Sequence, residues 1–366
     1  MTRPAARGNR PLRALDRTVA VGALALLGLA RRRRQLPGRL NRIGLMKSTG
    51  IGDMILAAAV AGDVVAAFPD SDVVLFAGRD NADLARLVEG VRVVTLPTAR
   101  PWAALPLLRA ERLDALLDLG QWTRVEALYS ALSGARWAAG FATRGQHRHR
   151  AYDVAVEHAS DVHELENFRR LVAALGVAST SPPAFAPTGA AGGAPAPEPY
   201  VVFHLWPGGF RSELREWPGE RWRELAERLV AEGYAVVLTG GPGDVGRTDA
   251  FVASCNGARP RLVPVAGRYR LSELVDVLAG ASCVVSVNTG VMHLAAAVGA
   301  PTIALNGPTS SARWGPVGPR AVCVDSELPG CGYLDLGFEY DGRRTDCMQG
   351  IAVDAVASAV LEQLRG

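Results

Sequence analysis

Lysine is almost missing from this sequence: Lys47 stands alone against 39 arginines in 366 residues. With the abundance of Ala and Gly, this reads as genome composition and excludes nothing by itself. Other scarcities exclude more. Charged residues make up only 21 % against 49 % apolar, with 40 Gly and 23 Pro. That is an ordinary globular mixture, so a disordered or collagen-like chain is excluded. No apolar run reaches the ~20 residues of a spanning helix, which excludes a polytopic membrane protein. Cysteines number five and form no C-x-x-C pair. An odd, unpaired set argues against a secreted disulfide scaffold and fits a reducing compartment. Cys323, Cys331 and Cys347 crowd the last quarter but lack the closely spaced pairs of zinc sites, so no metal is expected.

Acidic residues are missing from one place in particular. Residues 1–42 hold eleven arginines and a single acid, Asp16. They carry +10, which leaves −6 on the body of a chain whose formal total is +4. The basic character is thus confined to an N-terminal arm, and nucleic acid is not expected as a partner. Thr18 to Ala30 is an uncharged apolar run between Arg17 and the cluster Arg31 to Arg34. A signal peptide has similar ingredients, but no small-residue cleavage site ends the run, and arginines directly after it resist translocation. The reading adopted is a helix in a membrane interface with arginines toward anionic lipid. The alternative is a leader without a partner.

The length suggests two domains, and the body reads so. Strand–turn–helix units begin at Arg42, with strands over 42–48, 72–77, 91–96 and 113–119 and helices over 51–68 and 81–89. Residues 177–199 lose periodicity and fill with Pro, Ala and Gly, a linker by composition. Strands resume over 200–205, 234–239, 261–265, 283–287 and 302–305, with helices between them. Such alternation predicts an α/β fold of parallel sheets covered by helices. The expected division is an arm over 1–41, a Rossmann-like half over 42–176, the linker over 177–199, a second half over 200–350 and a final helix over 351–366. Ligands in open α/β sheets bind beyond the carboxyl ends of strands.

Four turns at such places stand out. Ser48-Thr49-Gly50-Ile51-Gly52-Asp53 brings a carboxylate to a helix start. It is neither a P-loop nor G-x-G-x-x-G, and Asp53 is either a functional carboxylate or an N-cap. Gly208, Gly209, Arg211 and Arg215 suit phosphate oxygens, which arginine meets in fork geometry. Asn288, Thr289, Gly290 and His293 open an Ala-rich helix, and free N–H groups with the helix dipole make an anion site there; His293 is either part of it or a structural histidine. Gly241 to Gly246 matches G-x-G-x-x-G after the strand ending at Thr239 and Gly240. The next strand supplies no acid for a ribose, so NAD and FAD are not expected.

Taken together, S-T-G-I-G-D, P-G-G…R-E-W-P-x-x-R-W, V-N-T-G-V-M-H-L-A-A-A and P-T-I-A-L-N-G-P-T…R-W-G-P resemble the heptosyltransferase-type glycosyltransferases of family 9, from about Arg42 to the C-terminus. The resemblance implies the GT-B fold: two Rossmann-like domains with a cleft between them, acceptor on the first, nucleotide-sugar donor on the second, the last helix packed back on the first. It implies inverting, metal-independent transfer of heptose or a related sugar to a cell-envelope glycan or glycolipid. The nucleotide-diphospho-sugar is a co-substrate and no cofactor is needed. Asp53 matches the general base, with Ser48, Thr49, Gly50 and Gly52 as its acceptor-side loop. Arg215 matches a basic residue facing the donor phosphates. Thr289, Gly290 and His293 match the diphosphate and sugar region, and Tyr269 to Leu271 fall where the nucleobase is held. His163 and Asn167 read as structural. Such proteins often carry a sugar-contacting Asp where this chain has Asn288. The enzyme is expected to be cytoplasmic, peripheral on the inner face of the membrane. A nucleotide-sugar epimerase or hydrolase, or a non-catalytic nucleotide-sugar-binding protein of envelope assembly, remains open on the same fold.

Overall fold

The computed structural model of the protein describes residues 16–365, apart from 17, 31, 99, 210 and 335–345. Residues 1–15 of the arm and most of the segment between Cys331 and Cys347 lie outside the described residues. The chain divides after Pro183 into two compact units.

The N-terminal unit holds helix α1 (Val19–Ala30) and then alternates β1 (Arg42–Lys47), α2 (Ile51–Ala67), β2 (Asp72–Ala77), α3 (Ala82–Ala85), β3 (Val91–Thr95), α4 (Pro101–Ala110), β4 (Ala115–Asp118), α5 (Arg124–Leu132), β5 (Trp137–Ala142), β6 (Val154–Glu157) and α6 (Glu164–Val172). The six strands form one sheet in the order β3-β2-β1-β4-β5-β6, every pair parallel. Both faces are covered by helices, which is why β1, β2 and β4 read as unbroken apolar runs and not as alternation. α2 is nearly all Ala, Val, Ile and Leu and ends at Phe68, before Pro69, where the residue ahead of proline leaves the helical region. The expected helix over 81–89 is a single turn, α3. The described part of the arm is docked onto this unit. Leu24 of α1 is buried with Ala127, Ala151 and Tyr152, and Arg34 grips the buried Asp153 at 2.8 Å.

The C-terminal unit repeats the plan with β7 (Tyr200–His204), α7 (Gly219–Ala231), β8 (Ala235–Thr239), α8 (Val245–Ser254), β9 (Leu262–Pro264), α9 (Leu271–Ala279), β10 (Cys283–Val287), α10 (Gly290–Ala297), β11 (Thr302–Asn306), α11 (Ser311–Trp314), β12 (Ala321–Asp325) and α12 (Val353–Arg365). Its sheet runs β12-β11-β10-β7-β8-β9, the same order as the first. α12 contributes Val353, Val356, Ala357 and Val360 to the core of this same unit, beside Trp222 and Leu225 of α7. Its apolar face is therefore used within the C-terminal unit.

The linker is tied down at both ends by carboxylates. Asp63 of α2 accepts from the Ser179 hydroxyl at 2.6 Å and from the Thr180 N–H at 3.0 Å. Asp276 of α9 accepts from the N–H groups of Gly189 and Ala191 at 3.0 and 2.9 Å. Burial pushes both carboxyls up, but the converging donors win and hold them below the usual range. Residues 177–199 are thus two anchored segments divided at Pro183.

Cys331 and Cys347 are joined in a disulfide, while Cys255, Cys283 and Cys323 are free. This corrects the reading of the cysteines, whose separation in sequence hid the pair, and it removes the cysteine argument for a reducing compartment. Among the described residues no helix is long and apolar enough to cross a membrane.

Candidate active site

In each sheet the chain reverses its direction of winding between the first and fourth strands, and the crevice at such a switch point is where α/β proteins bind ligands. In the N-terminal unit this point lies between β1 and β4, and the turn after β1 carries Asp53. The helix cap is Gly50, not Asp53, which sits in the first turn of α2. Gly50 has φ +84°, and a Cβ there would stand 2.5 Å from Asp53 Oδ2. Glycine is required because the carboxylate folds back over the turn. Thr49 is exposed and Gly52 lies in the first turn of α2. Ser48 is buried and donates to Glu126 of α5. Asn81 braces the turn from below, donating to the carbonyls of Lys47 and Gly50, each at 3.2 Å.

Asp53 is held by buried partners. Lys47, with 2 % of its side chain exposed, meets Asp53 Oδ2 at 3.0 Å, while Asp53 keeps 22 % of its side chain open. Lys47 Nζ also donates to Gln121 Oε1 at 2.6 Å. The Gln121 amide donates to Asp53 at 3.4 Å and to Glu164 at 2.9 Å. Behind it, Glu164 is bound by His158 at 3.1 Å and Asn167 at 3.1 Å. His163 caps α6, accepting from the Leu165 N–H at 3.1 Å, so the structural reading of His163 and Asn167 fits their contacts. This places one partly exposed carboxylate, with fixed orientation, where it can take a proton.

The C-terminal switch point lies between β7 and β10, and Arg215 spans it. Its guanidinium donates to the Gly208 carbonyl at 2.5 Å and to the Asn288 carbonyl at 3.4 Å. Gly209 and Arg211 both have positive φ, +104° and +49°, so the loop after β7 is tightly wound. Gly240 has no room for a side chain: a Cβ would meet Asp244 Cβ at 2.9 Å and Trp206 at 3.2 Å. Thr239 Oγ1 lies 3.0 Å from His204 Nδ1 and donates to the Phe203 carbonyl. Burial pushes His204 down to about 4, so this interior is neutral. Thr289 caps α10 without a side-chain bond to the helix, which leaves the N–H groups from Gly290 onward toward the crest. His293 is buried one turn further on. Tyr269 and Leu271 lie after β9, at the sheet's margin.

Asn288 has a local reason to be an amide. Its Nδ2 donates both hydrogens, to Asn306 Oδ1 at 2.9 Å and the Trp314 carbonyl at 3.0 Å. An aspartate offers no donor to either. Among the described residues no group of three His, Cys, Asp or Glu is placed to hold a metal ion.

The family model of glycosyltransferase family 9 (heptosyltransferase) matches residues 105–331. The chain belongs to glycosyltransferase family 9. The Asp53 turn precedes the matched span, whereas the whole Arg215–Asn288 crest lies inside it. Lipooligosaccharide heptosyltransferase 2 of Haemophilus influenzae is 38 % identical over 125 residues, 34 % of this chain and 36 % of that protein. Lipopolysaccharide heptosyltransferase 2 of Escherichia coli is 33 % identical over 162 residues, 43 % and 44 % of the two chains. These matches span from about a third to under half of the relatives' length. The solved ADP-heptose lipopolysaccharide heptosyltransferase II of E. coli shares the fold at TM-score 0.73 and 21 % identity, over 88 % of this chain and 98 % of that one. An E. coli heptosyltransferase solved with ADP-2-deoxy-2-fluoro heptose does so at TM-score 0.67 and 22 % identity, over 88 % and 99 %.

Within the N-terminal unit the fold gathers Ser48, Gly50 and Asp53 as expected and adds Lys47, Gln121, Glu164, His158 and Asn81, which the sequence reading passed over. Lys47 carried one visible signal, as the sole lysine of the chain. Within the C-terminal unit Gly208, Gly209, Arg215, Asn288, Thr289 and Gly290 converge, with Thr239 and Gly240 at the next strand end.

Proposed function

We propose that the protein is an inverting, metal-independent glycosyltransferase that moves heptose or a related sugar from a nucleotide-diphospho-sugar to a cell-envelope glycan or glycolipid, without a further cofactor. Asp53 carries the reading: a partly open carboxylate fixed by Lys47 and Gln121, in a chain of family 9. Its carboxylate takes the proton of an acceptor hydroxyl as that oxygen forms a bond to the anomeric carbon. The bond from that carbon to the diphosphate breaks on the opposite side, so the configuration inverts. The nucleoside diphosphate leaves with the electron pair. Arg215 and the N–H groups at Thr289–Gly290 stabilise the charge gathering on it, with Gly208, Gly209 and Arg211 as the phosphate loop. Tyr269 and Leu271 take the base, and His293 faces the donor.

The proposed workplace is the cytoplasmic face of the membrane, reached through the arm. Val19, Leu26 and Leu29 of α1 are exposed, and each arginine near an anionic surface contributes about 1 kcal/mol. Because Leu24 and Arg34 are part of the N-terminal unit's own packing, point changes test this better than deletion of residues 1–40.

The deciding experiment is Asp53→Asn assayed with ADP-, GDP-, UDP- and dTDP-sugars. Turnover should fall by about 10²- to 10⁴-fold while donor binding stays. NMR should find the product anomer inverted, and activity should survive a chelator. A folded Asp53→Asn variant with full turnover would sink the assignment.

A further inference from the structure

One face of the N-terminal unit is covered by a layer of three helices that is unusual for a surface. Leu24 of α1 packs with Ala127 of α5, and Ala104 and Leu108 of α4 pack with Tyr129 of α5. α1 runs alongside α5 in the same direction. Asp16, before α1, accepts from the Val125 N–H in the first turn of α5 at 3.0 Å. Arg34, after α1, donates to the Ala135 carbonyl just beyond the end of α5 at 2.7 Å. The order across the face is therefore α1, α5, α4.

A surface helix ordinarily turns a charged face to water. Across the 12, 10 and 9 residues of these helices, the one carboxylate is Glu126, which is buried. Outward instead stand Val19, Leu26 and Leu29 of α1, Leu132 of α5, and Trp102 and Leu107 of α4. Trp102 is 72 % exposed and Leu29 87 %. On α1 the exposed positions are 19, 22, 26, 28 and 29, of which 19, 22, 26 and 29 follow a spacing of three and four that makes one stripe.

The rim of this face is cationic. Arg32 and Arg33 follow α1, Arg109 and Arg112 close α4, and all four are exposed. Arg150 lies against α1, its Cβ 3.0 Å from where a Cβ on Gly28 would stand. His147 and His149 are exposed beside it. Burial, Arg150, His147 and Arg33 together hold His149 below the usual histidine range, the mark of gathered cations. Among the described residues, carboxylates pair with Arg34, Arg124 and Arg148 in this region, but not with Arg32, Arg33, Arg109, Arg112 or Arg150.

We propose that the α1–α5–α4 layer as a whole is a docking face for an anionic lipid bilayer, with Trp102 and Leu107 of α4 forming a second contact beside the arm helix. This rests on the membrane reading above and extends it to residues outside the arm. Apolar side chains ringed by arginine, with the nearby carboxylates Glu111 and Asp16 paired to Arg92 and Arg124, match a surface of acyl chains under anionic head groups. A tryptophan ring has its preferred place at that boundary. A protein partner would have to present an extended acidic rim around an apolar centre to do the same.

The test is cosedimentation of the full chain with phosphatidylcholine vesicles, with and without phosphatidylglycerol. Three proteins are compared: wild type, Trp102→Ser/Leu107→Ser, and Leu26→Glu/Leu29→Glu. Wild type should bind the anionic vesicles and be released by salt. The α4 variant should partition about tenfold less, ~1.4 kcal/mol, with unchanged melting temperature and unchanged donor binding. The substituted residues are exposed, so folding should be kept; Arg109→Glu/Arg112→Glu provides a second probe of the same edge with the same expected direction. If the α4 variants bind like wild type while the α1 variant is released, this inference fails and the arm reading stands. Wild type that ignores anionic vesicles overturns both. A concentration-dependent dimer abolished by Trp102→Ser/Leu107→Ser would show that a second copy covers the face, and would overturn the proposal.

Discussion

The two units share one strand order and furnish their switch points with opposite materials. The N-terminal point is ionic: Lys47, Asp53 and Glu164 are linked through Gln121, with His158 hydrogen-bonded to Glu164. A second buried pair, Arg148 and Asp118 at 2.8 Å with both side chains closed to solvent, lies at the end of β4. The C-terminal point is built from hydroxyls, amides and a histidine held neutral, with Arg215 laid across it. Fold therefore does not decide chemistry here; the side chains at the strand ends do. Buried ions cost desolvation unless they are paired and hydrogen-bonded. Lys47 with Asp53 and Arg148 with Asp118 meet that condition, and the outcome is one partly exposed carboxylate, Asp53, fixed in place. The second point has a neutral interior and points its guanidinium and N–H groups at the crest, as suits an anion arriving from outside.

If the ionic point depends on its pairing, removing one member should be the most damaging change. Lys47→Met leaves Asp53 and Gln121 without the ammonium between them. Breaking a buried pair costs about 3–5 kcal/mol, and the partial exposure of Asp53 puts the expectation near the lower end. Chemical denaturation measures it. A loss under about 1 kcal/mol would mean that the lysine is not what holds this point together.

How far this contrast could be read in advance depended on where each partner comes from. β1, β7, β8, β10 and β11 announce themselves because strands buried on both faces are apolar runs. β5, Trp-Ala-Ala-Gly-Phe-Ala, has weak strand formers, and β6 is four residues at the sheet edge. α4 was hidden by Pro101 and Pro106, the first of which opens the helix without loss of a needed N–H. Asp53, Arg215 and Thr289 were legible because each sits in a turn directly after an obvious strand. Gln121, Glu164 and His158 were not, since they reach Lys47 and Asp53 only through sheet topology. Of the two readings open for Asp53, the N-cap falls away, because Gly50 caps the helix and the carboxylate bends toward Lys47. The expectation of unpaired cysteines failed because Cys331 and Cys347, 16 residues apart in sequence, are bonded.

The anion-binding character of the second point is sharpened by Arg215→Met. Loss of charged hydrogen bonds, each worth about 1.5–3 kcal/mol, should weaken the nucleoside diphosphate and the nucleotide-sugar by about tenfold or more in calorimetry. Acceptor KM at saturating donor should stay within about twofold. An equal loss on the acceptor side would break the division of labour between the units. A smaller effect is expected from Asn288→Asp. It sets a carboxylate against the Trp314 carbonyl and removes two donated bonds, so stability should drop by about 1–3 kcal/mol. A variant as stable as wild type would show that the amide is not held there by its neighbours.

The gentlest probe is pH, and it acts on His204. Its folded pKa lies near 4, against 6.5 in the unfolded chain, because burial excludes the charged form. Between these values the unfolded state binds more protons than the folded one. Stability linked to this group is therefore complete above pH 6.5 and is lost as pH falls toward 4, by about 1 kcal/mol per pH unit. In His204→Gln the amide keeps a hydrogen bond to Thr239 and cannot titrate, so the slope of stability over that window should flatten by about the same amount. Titrating carboxylates of the N-terminal unit, such as Asp63 and Asp72, have folded pKa values below their ordinary range and act at lower pH. Their contribution, like that of Asp276 in the C-terminal unit, fades later in the descent than that of His204. A His204→Gln variant with an unchanged slope from pH 6.5 to 4 would mean that the interior of the second switch point is less sealed from protons than its burial implies.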